Sequence, residues 1–393
     1  MGENMLIRRD LLMAMAGAAA MPRAAWGQTT AQAATSGAIE TPSREAPVSI
    51  TSVDDCERQA AKILAPGPYA LIKDGDGASW TVAENRAAFA RQAILPGYLS
   101  GVSEPQLATT LLGIALAHPI MTAPMGNHGI AHRSAEIGSV RGTGAAKGLY
   151  TAATLSVFSL EDIAQAGGDT PKFFQLYMLN DRGFVAELLQ RAKNAGYRAV
   201  VMTVDGSDYT MVEEPTRLKY RPSSARGNVG PLRDRLGGKP FMKLGLDWSD
   251  IEFVMKSSGL PVIIKGVLTP ELALEAAKRG AAGIQVSNHG GRQVDGLPAS
   301  ITVLPGIADA LAGRIPIILD SGVRRGQDVF KALAMGATCV AIGRPVLYGL
   351  AIGGRYGVEA VYAALLRELT AVMEIAGAKT ISAISRKSFT SLS

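Results

Sequence analysis

A closed barrel of eight parallel strands, each followed by a helix, is the fold this sequence predicts, and three observations lead to it. From Pro119 onward, short β-type runs alternate with helical patterns, as parallel strands joined by helices require. The runs number eight. Polar residues end them at the same relative position, where core packing would not place Gln, Lys, His, Asp and Arg. The alternative, a doubly wound open sheet, calls for a GxGxxG fingerprint after its first strand, and nothing resembling one follows here.

Taken in order, the first 27 residues read as an address rather than as fold. Arg8-Arg9-Asp10-Leu11-Leu12 precedes an apolar, Ala-rich stretch through Met21, and Ala25 and Gly27 suit a small-residue cleavage site. Paired arginines before a mildly hydrophobic core resemble a twin-arginine export signal, which predicts a periplasmic address; an ordinary secretion signal is the alternative. The core is about half of the ~20 residues that span a bilayer, so a permanent anchor is not expected. Residues 28–50 read as a disordered linker rich in Thr, Ala, Ser and Pro, and 51–393 as a single α/β barrel domain. The 393 residues carry 47% hydrophobic side chains, 44 glycines and a net charge of +6. That balance fits an α/β protein with many tight turns. No block of consecutive Lys or Arg appears and the aromatics are scattered, which argues against nucleic-acid binding. Cys56 and Cys339 are the two cysteines. Neither a bridge nor a metal site is expected, and Cys339 in the run CVAIG reads as a buried thiol.

Residues Ser52 to Leu116 form a helical preamble that would close the bottom or side of the barrel. Strands are then expected at Pro119–Ala123, Gly148–Ala152, Phe173–Tyr177, Ala199–Val204, Pro261–Lys265, Gly283–Ser287, Pro316–Leu319 and Cys339–Ile342. Helices fall between them and again over Gly357–Gly377. Asp205 to Asp247 is the exception, a long stretch of Gly, Pro and charge with little periodicity. Stretches of that length are usually lids, binding loops or disordered. It holds no long apolar segment, so firm membrane insertion is not expected.

Active sites of such barrels form at the carboxyl ends of the strands. Read in that order, the ends are Pro124, Met125 and Gly126; Thr154; Gln175 and Tyr177; Thr203 and Asp205; Lys265; Ser287 and His289; Asp320, Ser321, Gly322 and Arg324; and Gly343 and Arg344. The sixth opens the stretch SNHGGRQVDG, Ser287 to Gly296. His289 there is placed to take a proton, and Arg292 to hold an anion by bidentate hydrogen bonds. An isolated HxxR fits a capping turn with a surface arginine just as well; the other strand ends favour the chemical reading. Ser-Gly with an arginine, followed by Gly-Arg opening a helix in the last repeat, suits a phosphate cradle. Lys265 can stabilise negative charge on a reduced ring or form a structural ion pair with Asp205 or Asp320.

SNHGGRQVDG, LDSGVRRGQDVFKALAMGA and AIGRPVLYGLA resemble the FMN-dependent 2-hydroxy-acid oxidases and dehydrogenases, the lactate oxidase and glycolate oxidase group. The similarity runs from about Trp80 to Ile384. The resemblance implies FMN across the strand ends, a CH–OH substrate oxidised to the keto product, and a hydride equivalent passed to flavin N5. It implies His289 as base, Asp205 as the carboxylate orienting it, Arg292 on the substrate carboxylate and Tyr177 on the substrate oxygen. Lys265 matches the lysine near flavin N1. Gln175, Thr203, Thr154 and Ser287 match ring contacts, with Met125 and Gly126 passing the ring through their backbone. Asp320, Ser321, Gly322, Arg324, Gly343 and Arg344 match the ribityl and phosphate pocket. A tetramer, and O2 or a quinone as electron acceptor, are also implied.

Two positions leave the family pattern. Spacing from Trp80 puts Leu71 where the family has a substrate-binding tyrosine, with Tyr69 displaced by two. Spacing from Thr203 puts Val212 where it has a second carboxylate-binding arginine. A lost charged hydrogen bond costs roughly 1.5–3 kcal/mol. The substrate is therefore expected either to be larger, less anionic or amine-bearing, meeting Asp208 or Glu213, or to be held by Arg217 or Arg133 instead. A flavin- or ligand-binding protein without turnover is the alternative from a different class.

Overall fold

The computed structural model describes residues 41–206, 212–223, 226–236 and 240–391. The proposed signal, residues 28–40 of the linker and Asp208 lie outside them. Residues 41–50 run extended along the body, where Pro42 and Arg44 carbonyls accept from the Arg133 N–H and contact the His132 ring.

Eight parallel strands close into a barrel in sequence order: β1 (Ile120–Thr122), β2 (Leu149–Ala153), β3 (Lys172–Leu176), β4 (Val200–Thr203), β5 (Val262–Val267), β6 (Gly283–Val286), β7 (Ile317–Leu319) and β8 (Cys339–Ile342), with β8 pairing back to β1. All eight expected strands are present, with ends within two residues of the reading. Every strand position is buried on one face or the other, apart from half-buried Gly266 in β5. Alternate side chains separate into two cores. Met121, Leu149, Phe173, Val201, Ile263, Ile318, Cys339 and Ala341 fill the barrel. Ile120, Tyr150, Phe174, Val200, Ile264, Ile284, Leu319 and Val340 pack outward against the helices. The period of two along each strand produces this division, so the barrel is a packed core with its chemistry at one end.

The preamble does two jobs. Its hairpin, Thr109–Leu111 against Ile114–Leu116, puts Leu111 and Leu116 into the inner core and plugs the bottom. Its helices Pro66–Lys73 and Trp80–Ala90 instead reach the opposite end and hold the β6 loop. Asn85 and Asn288 exchange side-chain amide hydrogen bonds in full burial, at 2.9 and 2.7 Å. The Asp295 carboxylate caps the start of the second helix by accepting from the Trp80 and Thr81 amides, and the Thr81 hydroxyl accepts from Gly296 and Leu297. A helix N-terminus leaves its first amides unpaired, and here a residue of the catalytic stretch satisfies them.

The segment between β4 and the next helix is not structureless. It contains helices Glu213–Arg217 and Gly230–Leu236, because Glu213 and Glu214 suit a first turn and Val229 and Leu232 find burial. Asn228 ties this insert to the end of β2, donating to the Ala153 and Thr154 carbonyls. Both cysteines are buried free thiols, and burial pushes each up to about 12. Among the described residues, no helix is long and apolar enough to cross a membrane.

Candidate active site

A cavity of about 500 Å³ opens at the carboxyl ends of the strands, within the usual size of a small-molecule site. His289 stands on its wall with a positive backbone φ of 59°, uncommon for a residue with a Cβ. Its amide donates to the Ser287 hydroxyl, and Gly290 and Gly291 follow in the same left-handed region. This run of three turns the chain sharply enough to aim the imidazole back over the barrel. A side chain at Gly291 would stand 2.9 Å from Val82 of the preamble, so the close approach also demands glycine.

The imidazole is held at both nitrogens. Nδ1 lies 3.1 Å from Asp205 Oδ1, which assigns the proton to Nδ1 and leaves Nε2 to accept from the Tyr177 hydroxyl at 3.2 Å. The Tyr177 and His289 rings stack at 10°. Burial acts to raise the Asp205 pKa, but Lys265 and His289 outweigh it and hold the carboxyl at about 2. Lys265 Nζ is 3.9 Å from the same carboxylate and 3.5 Å from the imidazole. Asp205 fits there because β5 is irregular at Gly266, whose φ of 108° and missing side chain leave room for the carboxylate. Burial and Asp205 together push the Tyr177 hydroxyl up, so it stays a hydrogen-bond donor.

Arg292 is half-buried, and burial lowers its pKa from the usual guanidinium value. Nη1 donates to the Leu71 carbonyl at 2.6 Å and the Asp74 carbonyl at 3.3 Å, which points the rest of the fork at the cavity. Arg344 donates to the Ile72, Gly290 and Asp74 carbonyls, and burial followed by the charges of Arg292 and Arg324 pushes it down to about 9. Arg324 is buried with Nε unpartnered. Among the described residues, none of the three has a carboxylate partner within ion-pair distance. Arg324 and Arg344 repel one another at this end of the cavity, which suits a strongly anionic group, and the phosphate of FMN matches that chemistry.

The sequence-predicted residues divide into two shells. Pro124, Met125, Gly126, Gln175, Tyr177, Lys265, His289, Arg292, Asp320, Ser321, Gly322, Gly343 and Arg344 line the cavity. Thr154, Thr203, Asp205, Ser287 and Arg324 stand behind them. Thr154 and Thr203 fix the Gln175 side chain through its oxygen and nitrogen respectively, the first by its amide and the second by its hydroxyl. Gln285, which the reading omitted, donates to Asp320 from within the barrel, and the Asp320 carboxylate in turn accepts from Ser321.

The departures have definite places. Leu71 lines the cavity, whereas Tyr69 packs against Tyr348 with ring centroids 6.5 Å apart and does not. Val212 caps the helix Glu213–Arg217 and bridges to Gly77. Arg217 is exposed and paired with Glu214, and Arg133 is exposed; neither lines the cavity. One cavity arginine escaped the reading. Arg233, in the insert, gave no signal because nothing in its spacing relates it to a strand end. Among the described residues, no group of His, Cys, Asp and Glu side chains converges as a metal site would.

The comparisons agree with this geometry. The family model for FMN-dependent dehydrogenases matches residues 60–391. An L-lactate oxidase of Lentilactobacillus hilgardii is 41% identical over 86% of this chain and 94% of its own. Glycolate oxidase of Spinacia oleracea is 37% identical over 86% and 95%. Among solved structures, a lactate oxidase of Pediococcus acidilactici superposes with a TM-score of 0.87 at 42% identity, covering 90% of this chain and 98% of its own. A mandelate oxidase gives 0.80 at 34%, covering 86% and 98%. With a barrel, a cluster of arginines and a His–Asp pair at its mouth, the chain belongs to the FMN-dependent dehydrogenase family.

Proposed function

We propose that this protein oxidises the CH–OH group of a 2-hydroxy acid to the keto product with FMN. The His289 site carries the reading: an imidazole on the cavity wall whose Nδ1 lies 3.1 Å from the Asp205 carboxylate and whose Nε2 meets the Tyr177 hydroxyl. FMN, when bound, supplies the acceptor for the hydrogen and two electrons that leave the α-carbon. Arg344, with Ser321, Gly322 and Gly343 beside it on the cavity wall and Arg324 behind, would hold its phosphate end. Gln175 and Lys265 would face its ring.

The chain's own residues do the rest. Nε2 of His289 takes the substrate hydroxyl proton, exchanging its bond from Tyr177 for one from the substrate. Asp205 keeps the imidazole in the required tautomer and stabilises the cation that proton transfer creates. Tyr177 is left to donate to the substrate oxygen, and Arg292 binds the carboxylate beside it. The oxidase relatives favour oxygen as the electron acceptor. The reading of a protein without turnover has little left to support it, since base, orienting carboxylate and anion anchor are all assembled.

Anaerobic mixing of the yellow holoenzyme with short and long 2-hydroxy acids tests the proposal. Bleaching by at least one of them is expected, and its loss by a factor of ~10²–10⁴ in His289→Ala follows from removal of a general base. Bleaching by none, or equally fast bleaching of the variant, would overturn it. Export before function is part of the same proposal, supported by the Arg8-Arg9 segment.

A further inference from the structure

Arg233 is the cavity arginine to which the resemblance assigns no role. It sits on the short helix Gly230–Leu236 of the insert, and its neighbours there are all spoken for: Arg226 pairs with Asp234, and Arg235 pairs with Asp181 at 2.5 Å. Arg233 has no acidic partner among the described residues, and its Nε is buried without an acceptor. Its guanidinium carbon stands over the Phe241 ring, 4.1 Å from the centroid. Stacking of that kind fixes the plane of the fork and leaves its edge donors directed along the ring surface. Burial and the like charge of Arg226 both lower its pKa, so an anion beside it would be welcome.

Position decides which part of a substrate it can reach. Arg292 takes its hydrogen bonds from the preamble, at Leu71 and Asp74. Arg233 belongs to a different wall, built by the insert and by the loops after β1 and β2. Asn127, Leu155, Pro222 and Ser223 line the cavity there, and Asn127 donates to the Ser223 carbonyl to fasten the insert over the mouth. The two cations are electrostatically separate: the charges that act on Arg292 are Tyr177, Tyr348 and Asp74, and the one that acts on Arg233 is Arg226. They suit a molecule with an acid at each end.

Resting on the 2-hydroxy-acid reading of the same cavity, we infer that Arg233 is a specificity-determining residue that holds a second, distal acid group, so that the preferred substrates are 2-hydroxy diacids. Arg292 keeps the α-carboxylate beside His289. Loss of the arginine at Val212 is offset by a cation placed farther out, which moves the second positive contact from the reacting end of the substrate to its tail.

The test compares ligands that differ by the distal acid alone. Holoenzyme is titrated with glutarate and with pentanoate, neither of which can be oxidised as a 2-hydroxy acid, and binding is read from the flavin absorbance shift. Glutarate is expected to bind at least ~10-fold tighter, from one additional charge-assisted hydrogen bond. In Arg233→Met that preference disappears, and in Arg233→Lys it is partly kept. With 2-hydroxyglutarate and 2-hydroxypentanoate as substrates, the ratio of their kcat/KM values falls ~10–100-fold in Arg233→Met, chiefly through KM. Equal binding of the two acids by wild-type protein would overturn the inference, and so would a variant that weakens both alike. If no 2-hydroxy acid bleaches the wild-type flavin, the proposed reaction fails, while the glutarate and pentanoate titrations still decide the role of Arg233.

Discussion

At the scale of single residues, the site depends on the charge state of one carboxylate. Asp205 has an ordinary value near 3.8 when unfolded and about 2 when folded. A depressed pKa contributes stability that is present above the unfolded value and is lost as pH falls through the folded one. The window therefore runs from about pH 4 to pH 2, and the shift corresponds to about 2 kcal/mol. Urea unfolding of wild-type protein should lose that much more stability across this window than Asp205→Asn, and parallel curves would show that the carboxylate is not held as described. The same substitution should slow flavin reduction at neutral pH, because Nδ1 then loses the acceptor that fixes its tautomer. Most of these residues were legible in advance, since Lys265 lies in the carboxyl half of β5, Asp205 just past β4, and His289 and Arg292 in the loop that follows β6. Arg233 was not. Its place depends on how an aperiodic insert folds back over the mouth, and local pattern carries no information on that.

At the scale of elements, the strands were readable because burial on both faces leaves short apolar runs between helices, and turn residues mark their ends. The preamble was harder. Its Trp80–Ala90 helix shows little of the one-sided apolar pattern that announces a helix packed on a core, because it contacts the catalytic loop through polar groups, Thr81 and Asn85. Replacing Asn85 with Leu leaves the buried Asn288 side chain short of a partner and should cost about 1–3 kcal/mol. The more telling outcome is catalytic: kcat should fall with the loop displaced, although Asn85 touches neither the imidazole nor Arg292. An unchanged kcat in a folded Asn85→Leu protein would mean that the loop holds itself.

At the scale of the whole molecule, the barrel separates its stability from its chemistry. Leu111 closes the bottom of the inner core, with 1% of its surface exposed. Leu111→Ala should destabilise by about 2–5 kcal/mol through the cavity it leaves, seen as a lower thermal midpoint of the holoenzyme. Turnover at the other end should change by less than a factor of about two at a temperature where both proteins are folded. A large loss of kcat without a fall in stability would indicate that the two ends communicate. The bottom plug was expected of the preamble. Its reach to the top was legible at Leu71, through spacing from Trp80; the hold of Thr81 and Asn85 on the β6 loop was not, since polar contacts between distant segments have no signature in sequence.

The contacts between preamble and β6 loop also bear on when the site comes into being. Leu71 and Arg292 are 221 positions apart, and Asn85 and Asn288 are 203 apart. Bringing such distant segments together carries a loop-closure cost that is met only when the intervening barrel has formed. During synthesis the early helices emerge with polar faces that have nothing to bind, and they wait for most of the chain to follow. A ribosome-bound fragment ending before Ser287 has neither the base nor the surface that clamps the preamble. Flavin capture by His289's side of the cavity is thus a late event in the life of each molecule, and a yellow protein is one whose two distant ends have already found each other.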